Sequence, residues 1–292
     1  PVSASQSTIS ASPENILTGE TGDVHVVTKD AFGNPVQGVA IQLDATGSGH
    51  TIVQPAELTD AEGKATGTIV STDVGTTTLS AMAGGLALDQ TTTMVVSYGE
   101  GTQTGRTYCT INGVSSVMDV YIPSASHPRP LPVAVHVHGG GYTGGSRSTG
   151  FWFSDIEQAL LGRGYLVVSL DYRLAPAHKY PAQIQDVKCA IRYLRANADR
   201  YGLDRQHIGV WGSSAGAQLV GFMGTTGGHS SFDNVGGFQG ESSEVQAVIA
   251  LSAITDLTRT AELNDNYSAE FPTWPDPTSP ELIEASPALH VS

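Results

Sequence analysis

The stretch Gly212-Ser213-Ser214-Ala215-Gly216 constrains this chain more than any other. The apolar run His207-Ile208-Gly209-Val210-Trp211 precedes it and reads as a buried strand. Gln218-Leu219-Val220-Gly221-Phe222-Met223 follows and can begin a helix. A strand that turns this abruptly into a helix leaves little room beside its central residue, so glycines two positions to either side of Ser214 fit the bend. The turn lifts the Ser214 hydroxyl out of the sheet, and the helix start brings free N–H groups beside it. The alternative is a Gly/Ser-rich loop, which the flanking strand and helix argue against.

A second motif, His138-Gly139-Gly140-Gly141, ends the apolar strand Pro132–His138 some 75 residues earlier. An acyl-transfer enzyme must stabilise the anionic oxygen of a tetrahedral intermediate. Backbone N–H groups do so when no side chain blocks their approach, and glycine has none. Gly140 and Gly141 are candidate donors, with Ala215, the residue after the candidate nucleophile, as a third. His138, with His136, sits where it can orient the glycine loop.

Around these motifs the apolar pattern alternates between strand and helix. Thr107–Ile111 and Val117–Ile122 read as a strand pair around Asn112-Gly113. Residues 153–163 form a helix with Phe153, Ile156 and Leu160 on one face, and Tyr165–Leu170 a strand buried on both faces. Residues 182–200 form a helix with a stripe of Ile184, Val187, Ile191, Leu194 and Ala198. Val245–Leu251 is a further strand. This order predicts a mostly parallel sheet covered by helices.

Residues 1–97 differ. Apolar residues fall at every second position in Val39–Leu43 and at Leu79, Ala81 and Ala83, the period of half-buried strands. Turn signals such as Phe32-Gly33-Asn34-Pro35 and Ala61-Glu62-Gly63-Lys64 separate them, which implies a β-sandwich. Its ten Asp/Glu against two Lys/Arg give a net charge of −8. Residues 98–106 read as a flexible connector.

The whole chain of 292 residues carries −14, which argues against a nucleic-acid partner, since phosphate binding needs a basic patch. No apolar run reaches the length of a membrane span. The chain does not begin with Met and shows no signal-peptide pattern, so Pro1 reads as a processed or clipped end. An acidic surface with Gly/Ser/Thr-rich segments suits a soluble exported protein. Cys109 and Cys189 are either two unrelated thiols or one disulfide, the latter requiring an oxidising compartment. Cys189 lies opposite the apolar stripe of its helix. Neither cysteine has the spacing of a metal site, and no cofactor is expected.

Two families resemble this chain. Thr28-Lys29-Asp30-Ala31-Phe32-Gly33-Asn34-Pro35-Val36 and Thr59-Asp60-Ala61-Glu62-Gly63-Lys64-Ala65 resemble the bacterial Ig-like repeats of invasin and intimin adhesins. That resemblance implies a spacer or adhesive module at 1–97, with cell-surface or polysaccharide contacts. Residues 107–292 resemble α/β-hydrolase esterases of the hormone-sensitive-lipase type and the feruloyl/acetyl-xylan esterase group. Besides the two motifs, the resemblance rests on Met118-Asp119-Val120-Tyr121, Asp171-Tyr172-Arg173-Leu174-Ala175-Pro176, Tyr180–Asp186, Ser242–Val248 and Thr255-Asp256-Leu257. It implies a multidomain chain: an Ig-like sandwich, then a three-layer α/β-hydrolase domain. Ser214 would be the nucleophile, with Asp171 and Arg173 bracing the scaffold, on small-molecule or polysaccharide-linked esters. Tyr142, Ser213 and the loop 262–280, which holds Phe271 and Trp274, are candidates to select the substrate, the alternative for Trp274-Pro275 being a surface loop. In this fold class the Cys189 helix packs near the strand of Cys109, which makes a bridge plausible.

The family order of triad residues is Ser, acid, His. After Ser214 the acids include Asp256, Asp265 and Asp276, and the histidines are His229 and His290. Asp256 belongs to a motif resembling a structural loop. The tail 285–292 resembles the segment before a strand that normally precedes the catalytic acid. The hydrolase domain is therefore expected to be incomplete, the sheet to end in an exposed strand near 245–251, and the isolated chain to turn over little. The rival readings are an adhesin-like binding protein with an inert hydrolase portion, or a peptidase of the same fold.

Overall fold

The computed structural model describes residues 1–148, 153–227, 230–261 and 267–291. It divides into two compact units, residues 1–99 with 199–201, and residues 100–198 with 202–291.

The first unit is a sandwich of two sheets. One orders the strands β1 (Thr8–Ser12), β3 (Thr21–Val27), β6 (Lys64–Ser71) and β5 (His50–Val53). The other orders β2 (Asn15–Leu17), β9 (Thr92–Ser97), β7 (Gly75–Ala83) and β4 (Ile41–Ala45), with β8 (Leu86–Ala87) paired to β7. The alternation expected from sequence holds: in β7 Leu79, Ala81 and Ala83 are buried and their neighbours are not. The inner faces share Ile9, Val24, Val26, Leu43, Ile69, Leu79 and Met94, a core built by packing alone. One turn device is used twice. Asp30 Oδ1 accepts from the N–H groups of Phe32 and Asn34, both at 2.9 Å. Asp60 Oδ1 accepts from those of Glu62 and Lys64 at 3.0 and 2.7 Å. A short acceptor that satisfies two turn amides is the physical content of the Asp-x-x-Gly repeat.

The second unit holds a six-stranded sheet in the order β10 (Gly101–Ile111), β11 (Val114–Ile122), β13 (Leu166–Leu170), β12 (Leu131–Val137), β14 (Leu203–Ser213) and β15 (Ala247–Leu251). β12 pairs in parallel with β13 and β14, and β14 with β15. β10 and β11 add an antiparallel edge. Asn112 (φ 52°) and Gly113 (φ 80°) close that hairpin, the positive-φ pair such a turn needs. Pairing begins at Gly101, opposite Ile122, so residues 101–106, read as connector from composition, lie in β10.

Helix α1 (Phe153–Leu161) places Ile156 and Leu160 against Ala134 and Trp211; the Phe153 side chain lies outside the described residues. α2 (Ala182–Ala196) differs from expectation in two ways. It stops at Asn197, whose side chain and backbone N–H both donate to Tyr193 O, so Ala198 falls in the short α3 (Ala198–Tyr201). It is also buried nearly all round. Its polar face is buried because its cations find carbonyls. Lys188 Nζ donates to Thr226 O (3.0 Å) and Ser243 Oγ (3.1 Å), Arg192 to Val235 O (2.6 Å), and Arg195 to Glu244 O (2.6 Å). Asp233 on α5 (Ser230–Asp233) pairs with Lys188 and Arg192. Buried charges are tolerated only when partnered in this way.

Cys189 lies on that face, bonded to Cys109 of β10 with Cα atoms 6.1 Å apart. The bridge closes a separation of 80 residues. Replacing both cysteines by alanine is expected to lower the stability of this unit by about 2–4 kcal/mol. Urea unfolding of the unreduced proteins measures it, and an unchanged midpoint contradicts it.

β15 forms the other edge, and all five of its residues are exposed. Ile249 is 60% exposed, and with Leu251, Ala134, Ile156, Leu160 and Trp211 it lines an apolar groove of about 470 Å³.

Candidate active site

The parallel strands β12 and β14 are neighbours in register, Val137 opposite Gly212, so the segments that follow them emerge side by side. The strand order reverses at β12, and ligands of open α/β sheets bind beyond the carboxyl ends at such a point.

After β14 the backbone bends sharply. Ser214 has φ 53° and ψ −121°, a conformation that costs a non-glycine residue of order 1–3 kcal/mol. Its N–H donates to Leu251 O at 3.0 Å, and its own carbonyl accepts from Gln218 N at 3.1 Å inside α4 (Ala215–Thr225). The bend exists because its neighbours lack side chains. A Cβ on Gly212 would stand 2.6 Å from Val137 O, and one on Gly216 would collide with the carbonyls of Val137 and His138. Ser214 itself is exposed, while Ala215 is buried beneath it.

The glycine loop passes directly over this bend. A Cβ on Gly139 would meet Ser213 O at 2.7 Å and Ser214 Cβ at 3.3 Å. Gly140 and Gly141 have φ of 119° and 60°, and Gly140 O accepts from Thr143 N (3.2 Å) and Gly144 N (3.0 Å), which closes the loop. The N–H groups of Gly140 and Gly141 donate to no group among the described residues. The N–H of Ala215 lies in the first turn of α4, where a helix has no carbonyl to offer it.

His138 is buried under the loop. Its ring stacks on Tyr172 (centroids 4.2 Å), and its Nδ1 donates to Gly139 O at 2.7 Å, which fixes the tautomer. The Tyr172 hydroxyl donates to His138 O at 2.9 Å. Burial holds the His138 pKa below its ordinary value. His136 faces Ser169 Oγ (3.0 Å) and Trp211, and burial pushes it down to about 3. Both histidines are neutral at physiological pH and shape the strand end.

Arg147, which sequence patterns did not single out, anchors the far end of the loop. It pairs with Asp119 (2.8 Å) and Asp171 (2.5 Å), and its carbonyl accepts from Ser169 Oγ at 2.6 Å. The bracing expected of Asp171 is thus directed at the glycine loop. Arg173 pairs instead with buried Asp186 at 3.0 Å.

The aromatic residues expected to meet substrate lie inward. Tyr142 and Phe271 are 1% exposed and Trp274 8%, packed on one another through Tyr267. Among the candidate acids, Asp256 Oδ1 caps α6 (Leu257–Thr260), accepting from Thr258 N and Arg259 N. Asp276 Oδ1 accepts from Thr278 N. His290 Nε2 donates to Glu284 O at 2.6 Å, and its ring meets Phe222. His229 and Asp265 lie outside the described residues. Among the described residues no histidine or carboxylate hydrogen-bonds the Ser214 hydroxyl.

A parallel sheet with a strand-to-helix elbow under a glycine loop defines an α/β-hydrolase. The chain belongs to the BD-FAE family of α/β-hydrolase esterases, whose model matches residues 118–289. Residues 4–96 match the bacterial Ig-like domain (group 1). The chain is 38% identical over 112 residues to esterase LipC of Mycobacterium tuberculosis, an alignment that covers 38% of this chain and 27% of that protein. It is 43% identical over 94 residues to carboxylesterase NlhH of the same organism, covering 32% and 28%. The chain therefore spans just over a quarter of the length of these curated relatives. Among solved structures, a truncated form of a carbohydrate esterase from gut microbiota superposes with a TM-score of 0.55 at 24% identity, over 67% of this chain and 73% of that one.

Proposed function

We propose that this chain belongs to a serine-dependent carboxylic-ester hydrolase. The Ser214 hydroxyl attacks the ester carbonyl to form an acyl-enzyme, and the N–H groups of Gly140, Gly141 and Ala215 receive the oxyanion. The observation that supports it is the approach of the glycine loop to Ser214, so close that Gly139 has no room for a Cβ, with the next two amides unengaged among the described residues. Ser214 is poised but not activated by any described residue, and attack requires a general base to take its proton. The substrates are esters of small or polysaccharide-linked alcohols. The Ig-like unit serves as tether. The Cys109–Cys189 bridge supports an exported protein, since such bonds persist in oxidising compartments.

Hydrolysis of p-nitrophenyl acetate by the whole protein tests this. Ser214→Ala is expected to lower the rate at least about a thousand-fold. Equal rates for wild type and Ser214→Ala contradict the proposal, and a whole protein without hydrolysis favours an adhesin-like role.

A further inference from the structure

Tyr142 is the residue that ends the glycine loop. Its backbone is fixed at φ 63°, and its carbonyl accepts from Ala175 N at 3.0 Å. Its ring stands edge-on to Tyr267 (5.7 Å) and Phe271 (5.9 Å), and Tyr267 edge-on to Trp274 (5.2 Å). The turn of residues 267–274 is thus the packing partner of the residue that closes the loop.

Glu270 lies in the same turn, 1% exposed. Among the described residues neither of its carboxyl oxygens has a hydrogen-bond partner, and the same holds for the Tyr142 hydroxyl and the Trp274 indole N–H. A carboxyl buried in this way costs more than a neutral isostere would. Among the described residues it makes no ion pair and caps no helix. Groups kept at such cost without a structural return are found at functional sites.

We propose that Glu270 is a positioning residue for the glycine loop: the 267–274 turn packs closed on Tyr142 only while this carboxyl is neutral, and its ionisation releases Tyr142 and the loop with it. The functional meaning rests on reading that loop as the oxyanion site. Tyr142 faces Glu270 from the glycine loop, Tyr172, Lys179 and Tyr180 from the segment after β13, and Glu281 from α7 (Pro280–Glu284). Burial pushes the Glu270 carboxyl up to about 9, Glu281 adds to the rise, and Lys179 opposes it. The three phenols are raised above their ordinary value of 10, so Glu270 ionises before them.

Hydrogen–deuterium exchange on the full chain between pH ~7 and ~10, corrected for intrinsic rates, tests the coupling. The amides to follow are Thr143 and Gly144, which close the loop on Gly140 O, and Glu270 and Phe271, which bond Tyr267 O. In wild type their protection is expected to fall together, by about tenfold for each pH unit up to the Glu270 midpoint, and to level off above it. In Glu270→Gln it is expected to stay flat, and in both proteins the β12 amides stay more strongly protected than the loop amides, which makes the wild-type loss local. Matching pH profiles in wild type and Glu270→Gln overturn the proposal. If the glutamine variant does not fold, wild type decides: loss in only one of the two segments, or in neither, overturns it. The measurement uses no substrate, so a negative result leaves Ser214 acylation untouched, and failed acylation leaves the coupling measurable.

Discussion

A Gly216→Val chain is expected to lose on the order of 4–5 kcal/mol of hydrolase-unit stability, among the largest effects a single substitution produces. The new Cβ would overlap two backbone carbonyls, those of Val137 and His138. Neither can move aside. Val137 is the last residue of β12 and paired on both sides, and the His138 carbonyl accepts from Tyr172. Relief requires α4 to withdraw from the sheet, which exposes Leu219, Val220 and Phe222, all now buried. Urea unfolding followed by tryptophan fluorescence measures the loss, because Trp211 lies on the strand that leads into the bend. The Ig-like unit contains no tryptophan and serves as an unaffected reference by circular dichroism. A midpoint equal to wild type would mean that the elbow has room for a side chain.

Glu270→Gln is expected to act in the opposite direction. The folded protein keeps the Glu270 proton to about 9, whereas the ordinary value is 4.5. Below 4.5 both states are protonated and the carboxyl carries no penalty. As pH rises from there the unfolded chain gives up its proton and the folded one does not, so stability falls until pH passes the folded value near 9. At pH 7 the accumulated cost is about 3 kcal/mol, at ~1.4 kcal/mol for each pH unit above the ordinary value. Glutamine has the same shape and no proton to lose. The variant should therefore be more stable by about 2–4 kcal/mol at neutral pH and flat between pH ~5 and ~9, where wild type slopes downward. Parallel stability profiles for the two proteins would show that Glu270 is not held neutral.

The elbow and the glycine loop are legible in the sequence because both impose a requirement on residue type. A bend that brings Gly212 and Gly216 against the end of β12 admits no side chain, and the apolar runs on either side place the bend between a strand and a helix. The β-sandwich is legible from period two and from the repeated Asp-x-x-Gly turn. The remainder depends on contacts between distant residues. The stripe on α2 identifies one buried face but not the second, because Lys188, Arg192 and Arg195 read as solvated until their carbonyl partners from residues 226–244 are known. Arg147 looks like an ordinary loop cation, and only folding brings Asp119 and Asp171 to it. Tyr142 and Trp274 have the composition of a substrate surface, yet they pack inward on residues 267–271, and Glu270 carries no sequence signal of burial. The break at Asn197 follows from one side chain returning to Tyr193 O, a local competition that a hydrophobic stripe does not register.

A crystal structure of the whole protein after reaction with a fluorophosphonate tests Ser214 as nucleophile and the glycine loop as oxyanion site together. The expected result is a phosphorus bonded to Ser214 Oγ, with its phosphoryl oxygen at about 2.7–3.1 Å from the N–H groups of Gly140, Gly141 and Ala215. An unmodified Ser214, or a phosphoryl oxygen turned away from those amides, would contradict it.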